Sequence, residues 1–395
     1  MVREDIVNLV KSATAQAMGS DYMSNVGELT GLDAQKLVSI GKDVIDAGSV
    51  DGFVKCCATQ MLKFDVDAKE FEVGMPPILI DRIDWLGYIQ CVDFDVVDVY
   101  SDPMRNLVGG RNYADIEHTF YKPKANSKIF DEVKTFMCPI SMSTSEFEDA
   151  CRSWADMDKF LTGIRVSVRN TIKIQLKAMA DILCGTGAII SIKKTNTAIH
   201  LMTEAVALGI ISNATDVAAA LKNTAFLKFC MERMAEIKDN MKIATKVYNN
   251  HNSLKLTDEN DYRFMLHNQI ARKFKYGVLA DTYNADLIGL GKHSTFSSWQ
   301  AIKDATNTTA FNYNTTTSIK FNADESAILG LGTEAINESN IIGLMFHAKA
   351  IGMSMYNEKT TVSNTHSADF WTQYTHELVM CNINENFPIV AFVLD

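Results

Sequence analysis

The sequence predicts an α+β fold organised on one long helix, and three observations carry that expectation. Apolar residues recur at spacings of three and four from Met157 through Leu161, Ile164, Val168, Ile172, Leu176 and Met179 to Leu183, the stripe of a helix with one buried face. Ahead of it, residues 64–140 carry strand and turn signals, with Pro76, Pro77, Pro103 and Pro123 inside the stretch and Pro139 at its end. Behind it, the chain closes on apolar runs at 341–346, 376–383 and 388–394 that predict strands.

Residues 1–65 predict short helices. Ile6, Leu9 and Val10, then Leu37, Val38, Ile40 and Val44, then Phe53, Val54 and Leu62 give local amphipathic turns, broken by glycines such as Gly19, Gly27 and Gly31. These turns share no core, so an arm packing on something else is expected. Over 88–100, Val92, Phe94 and Val96 alternate with Asp93 and Asp95 as in a half-buried strand. Val108-Gly109-Gly110-Arg111 is a candidate tip and 129–140 a return strand, together a protruding two-stranded arm.

The long helix is expected from Asp156 to Cys184, roughly 40 Å at about 1.5 Å per residue. A short helix precedes it, capped by Ser145 with Glu148, and enters it through Trp154 and Ala155. Asp156 and Asp158 place negative charge at its start, and Gly185-Thr186-Gly187 is expected to end it. A strand is expected over 188–194, helical turns over 203–208 and 215–221, and a second strong helix over 224–247 with Phe226, Leu227, Cys230, Met231, Met234 and Ile237 on its apolar face. A short helix over 258–266, a strand over 268–274 and a helix over 276–283 follow. Residues 307–322, rich in Asn and Thr, predict an exposed hairpin or loop.

Composition narrows the function. The 395 residues are 47% apolar and 22% charged, ordinary globular material long enough for two or three sub-domains. A net charge of −10 argues against a dedicated nucleic-acid binder, whose affinity comes from clustered Lys and Arg releasing counterions. The charged N-terminus predicts no secretory leader, and the most apolar window, 201–212, is too short to span a membrane. Eight cysteines, with Cys56 and Cys57 adjacent, show no zinc spacing and are expected to be reduced thiols in a cytoplasm.

Catalytic patterns fail in turn. Gly291-Lys292 resembles the end of a phosphate loop, but His293 stands where Ser or Thr is needed and Asp286 where the first glycine belongs. Gly352-Met353-Ser354 lacks the glycine that would complete a nucleophile elbow. Asp93, Asp95, Asp98 and Asp102 read better as a solvated strand face than as a cation site, and His347, His366 and His376 show no i, i+4 pairing. No catalytic residue, cofactor or metal is expected.

One charge pattern is more pointed. Arg165, Arg169, Lys173 and Lys177 fall at strict i, i+4 spacing along the helix, beside its apolar stripe. Like charges at that spacing repel by a few tenths of a kcal/mol per pair, so an acidic neighbour would relieve them. They form either a solvated face screened by salt or a subunit or luminal contact meeting acidic partners.

Helical arm, long β-arm, long helix, mixed domain and closing strands is the element order of the major capsid proteins of tailed double-stranded DNA phages, a fold shared with encapsulins. Gly74-Met75-Pro76-Pro77, Val92-Asp93, Val133-Lys134, Phe147, Ser153-Trp154, Phe160, Ile164 and Met179 resemble those of small short-tailed phages, with a weaker likeness over 44–64 and through Trp371 and Ala391-Phe392-Val393. The resemblance implies an N-terminal arm over 1–65, an extended E-loop over 66–140 and a P domain over 141–221 containing the spine helix. It further implies an A domain over 222–350 and a return to the P domain over 351–395. An immunoglobulin-like domain that some relatives append after the closing strand is not expected.

The function so implied is a structural shell protein, not an enzyme, that self-assembles into pentamers and hexamers of an icosahedral head. The head encloses DNA without binding it specifically. A scaffolding protein and a portal are the further partners implied, no membrane takes part, and assembly in the host bacterial cytoplasm ends in the virion capsid. The alternatives are an encapsulin-like cargo shell and a soluble cytoplasmic enzyme without a recognisable motif.

Overall fold

The computed structural model describes residues 76–79, 89–94, 125–130, 133–143, 154–250, 254–278, 293–299, 302–303, 311–312, 317–328, 331–365 and 370–395, with Thr14, Met18, Ile40 and Asp43 as isolated helical positions. Strand β1 (Ile89–Phe94) pairs antiparallel with β2 (Ala125–Phe130) in a two-stranded sheet, Ile89 opposite Phe130. The return strand expected over 129–140 is divided. Residues 129–130 end β2, and 133–140 belong to β3 (Val133–Ser143), which joins a different sheet. Pro139 is tolerated in β3 because β3 is an edge strand there, where a missing N–H breaks no inner ladder.

Helix α1 (Trp154–Lys193) is 40 residues long, about 60 Å. The apolar stripe does form a helix, but Gly185 and Gly187 do not end it and 188–193 is helix rather than strand. The glycines serve close packing instead. A Cβ on Gly185 would stand 3.4 Å from the Trp299 carbonyl oxygen, and one on Gly187 would overlap Ile351 Cδ1. Residues 184–191 are all buried, so two turns near the C-terminal end run through the interior, while residues 162–183 bury one face only. Thr162–Lys193 is long and apolar enough to cross a membrane, unlike the 201–212 window singled out from the sequence, and 67% of its apolar window is buried in this fold.

After α1 come β4 (Ile199–His200), α2 (Leu201–Ala207), α3 (Val217–Ala220) and α4 (Thr224–Met241). Helix α2 stops because Gly209 takes φ +72° and its N–H donates to Val206, while Ile210 N–H reaches back to Ala205, a Schellman closure. The Asn223 side chain caps α4 by accepting from Ala225 N–H, and α4 ends at Met241, short of the expected 247.

The next two expectations are exchanged. Residues 262–267 form β5 (Tyr262–His267), and 268–273 form α5 (Asn268–Lys273), which runs into a π-helical turn at Phe274–Val278. Short elements follow: β6 (Ser294–Phe296), β7 (Ile302–Lys303) paired with β8 (Phe311–Asn312), β9 (Ile319–Phe321), α6 (Ala323–Ile328) and β10 (Ile336–Glu338), which pairs with β9. Ile319 and Phe321 are buried, so the end of the Asn/Thr-rich stretch is core rather than exposed loop. The chain closes with β11 (Ile341–His347), β12 (Ile351–Thr365), β13 (Phe370–Ile383) and β14 (Ile389–Val393).

A five-stranded sheet in the order β4-β14-β11-β5-β6 stands at the centre; its inner strands β14, β11 and β5 are buried on both faces, which is why they are nearly continuous apolar runs. Alternation divides its side chains. Ile341, Leu344, Phe346, Ile389, Ala391 and Val393 pack with α1, whereas Ile342, Met345, Val390, Phe392, Phe264 and Leu266 pack with α2, α4 and α5. The result is helix, sheet and helices in three layers. The second sheet, β12-β13-β3, lies against α1 through Met353 and Val379. A polar clasp joins α1 to β14. Ser191 Oγ accepts from Ala391 N–H at 2.9 Å, and Thr197 donates to the Ile389 carbonyl, so backbone groups of β14 are satisfied by side chains.

Candidate assembly surfaces

The described rungs of the basic ladder, Arg169, Lys173 and Lys177, are half-buried at the border of the buried face of α1. Four residues turn an α-helix by about 400°, so successive rungs drift about 40° around the axis. Arg169 and Lys173 are half-buried next to the buried Val168 and Ile172, while Gly163 and Ser167 are open to solvent. The backbone of Arg165 is helical, and its side chain lies outside the described residues, as do Gly109, Gly110 and Arg111.

The structure adds a rung that the sequence reading omitted. Asp181 continues the i, i+4 series, and Lys177 Nζ donates to both of its carboxylate oxygens at 3.1 and 3.0 Å. The Asp181 side chain is 3% exposed, and burial raises its pKa even though Lys177 opposes the shift. Desolvation thus outweighs the ion pair. The ladder is three cations followed by a closed pair, a pattern visible in the sequence once the spacing is carried one step further.

Two buried histidines end neighbouring strands of the central sheet, His347 in β11 and His267 in β5. His347 Nδ1 accepts from Lys349 N–H at 3.0 Å, which leaves its proton on Nε2, 3.7 Å from Asp261. Burial lowers its pKa, Asp261 opposes this, and Lys349, Lys255 and Arg263 add to the lowering. His267 Nε2 donates to the Ser297 carbonyl at 3.1 Å, and burial lowers its pKa too. Both rings therefore fold neutral. An unfolded histidine takes up a proton near its ordinary value of 6.5, whereas the folded ones resist to lower pH. Their stabilising contribution is complete above pH 6.5 and is lost as pH falls through the folded values. Thermal melting of the subunit is expected to drop between about pH 7 and pH 5, and His347→Gln to flatten that dependence.

The thiols of Cys138, Cys184 and Cys230 are buried and free, and burial raises the pKa of each, as befits inert core residues.

This architecture is shared with chains in solved phage structures. A chain in the capsid structure of Staphylococcus phage Andhra superposes with a TM-score of 0.55 at 10% identity, covering 84% of this chain and 88% of that one. A chain in the structure of the head fiber and inner core protein gp22 of native bacteriophage P68 gives 0.50 at 10% identity, covering 84% and 89%. The mixed helix and sheet fold is thus that of tailed-phage capsid proteins. Residues 100–393 match the family model for the Phi29-like phage major capsid protein, and the chain belongs to that family. It is a structural protein of the capsid shell, located in the virion capsid and built to assemble with copies of itself. A search by sequence among curated proteins finds no relative.

Proposed function

We propose that this chain forms the pentamers and hexamers of an icosahedral phage head assembled in the host cytoplasm, and that it acts there as a building block without enzymatic activity. The match of residues 100–393 to the capsid family carries this reading and favours it over a cargo shell or an enzyme. In it, residues 1–65 are the N-terminal arm and 66–140 the E-loop, in keeping with the antiparallel pairing of β1 and β2. Helix α1 is the spine of a P domain over 141–221, the A domain spans 222–350, and 351–395 returns towards the spine, where β12 and β13 join β3. A scaffolding protein guides assembly, a portal occupies one vertex, and the acidic chain encloses DNA without gripping it.

Arg165, Arg169 and Lys173, with Lys177 tied to Asp181, form a contact surface for an acidic partner, and Gly109-Gly110-Arg111 forms the E-loop tip that reaches a neighbouring subunit. Electrostatic complementarity of this kind guides encounter and register more than it adds affinity. Arg169→Glu combined with Lys173→Glu is expected to lower the yield of sedimenting shells by about tenfold, equivalent to about 1.4 kcal/mol, with an unchanged circular dichroism spectrum. Normal shell yield from the folded double variant would remove the ladder from assembly.

A further inference from the structure

The two ends of α4 carry surfaces that match each other but cannot meet within one subunit. At the C-terminal end, residues 242–247 fold back on Lys255 through reciprocal backbone hydrogen bonds of 2.9 Å between Thr245 and Lys255. That tip holds Ile243, Val247 and Leu256 in water, at 65%, 69% and 49% exposure. Lys246 stands exposed among them. At the N-terminal end lies an open cleft of about 760 Å³, where Ile210, Ile211 and Ala220 stand beside the polar Ser212, Asn213 and Asp216. Leu208, 66% exposed, adjoins it, and the Gly209 closure of α2 fixes that wall.

An 18-residue helix separates tip and cleft by about 27 Å. The tip is convex, aliphatic and cationic; the cleft is concave, mixes polar and aliphatic lining, and carries the Asp216 carboxylate, which also caps α3. Exposed aliphatic side chains clustered on a short turn stabilise nothing in the isolated chain and gain by leaving water. We propose that the tip formed by residues 243–247 and 254–256 of one subunit seats in the 209–223 cleft of a second copy, with Lys246 facing Asp216. A second copy is the fitting occupant because the chain assembles with itself, and because complementary surfaces at opposite ends of one element give a head-to-tail contact. Repeated around an axis, such a heterologous contact closes into a ring. The inference rests on the shell reading and adds the contact that builds the ring.

Cysteine bridging of the full chain tests it. Val247→Cys with Leu208→Cys is expected, under mild oxidation, to give a ladder of covalent multimers on non-reducing gels, while each single variant and the wild type, with its eight native cysteines, give none. Val247→Asp is expected to keep the wild-type circular dichroism spectrum and to lose at least about tenfold in particle yield. Wild-type particles without bridging in the cysteine pair, or normal yield from Val247→Asp, would overturn the contact alone. A wild-type chain that stays monomeric at every concentration would overturn the shell reading and the contact with it.

Discussion

Trp299→Ala is expected to destabilise the subunit by about 3–5 kcal/mol, the usual cost of removing a large buried aromatic side chain. Trp299 is 1% exposed. Its ring lies 4.0 Å from that of Phe296 and its Nε1–H donates to the Ile341 carbonyl at 2.9 Å. It also forms the floor on which α1 rests, since the missing Cβ of Gly185 leaves room for the Trp299 backbone. Two losses are therefore combined, a cavity under the helix and the hydrogen bond to the start of β11. Trp299→Phe separates them. It retains most of the ring and should cost only about 1–3 kcal/mol, the range for leaving a buried acceptor without its donor. Thermal melting of both variants beside the wild type reads the difference, and equal, small shifts would show that α1 does not depend on this floor.

Gly187→Val is expected to cost about 1–3 kcal/mol through overpacking against Ile351, with Gly187→Ala close to neutral. The comparison distinguishes two roles for the same residue. A glycine that ends a helix is needed for its backbone, and alanine is then unfavourable at a left-handed position. Gly187 instead sits within α1, where alanine gains about 1 kcal/mol in helix propensity and its Cβ displaces only the flexible end of Ile351. Valine adds two methyl groups that the β12 contact has no space for. A loss from alanine as large as from valine would return Gly187 to the role of a helix terminus.

These glycines also mark where the sequence stopped being legible. The stripe from Met157 to Leu183 was readable because an amphipathic face repeats with the helix. Once α1 enters the core and is buried all round, no stripe remains, and Gly185-Thr186-Gly187 resembles a stop signal. The exchange at 258–274 has a related cause. Tyr262 to His267 is a short, nearly continuous apolar run, which periodicity alone cannot assign to strand or buried helix, and the acidic residues before it imitate a helix start. Residues 268–273 contain Gln, Ala, Arg and Lys, good helix formers, and propensity would have placed them correctly. Strand β12 escaped notice because Asn357, Glu358 and Lys359 interrupt its apolar pattern, with a register shift between Met355 and Asn357. At the candidate surface, spacing revealed the four cations, and one further i, i+4 step would have reached Asp181, but only the fold shows that this carboxylate is buried and paired with Lys177.

The central claim is that this chain builds a closed shell from copies of itself around α1. Electron cryomicroscopy of particles formed by the full chain tests it most directly. The account predicts uniform closed shells whose five- and six-membered capsomers show α1 in every subunit as a continuous rod of about 60 Å. A single species of 43.9 kDa at all concentrations, with or without a scaffolding partner, would contradict it.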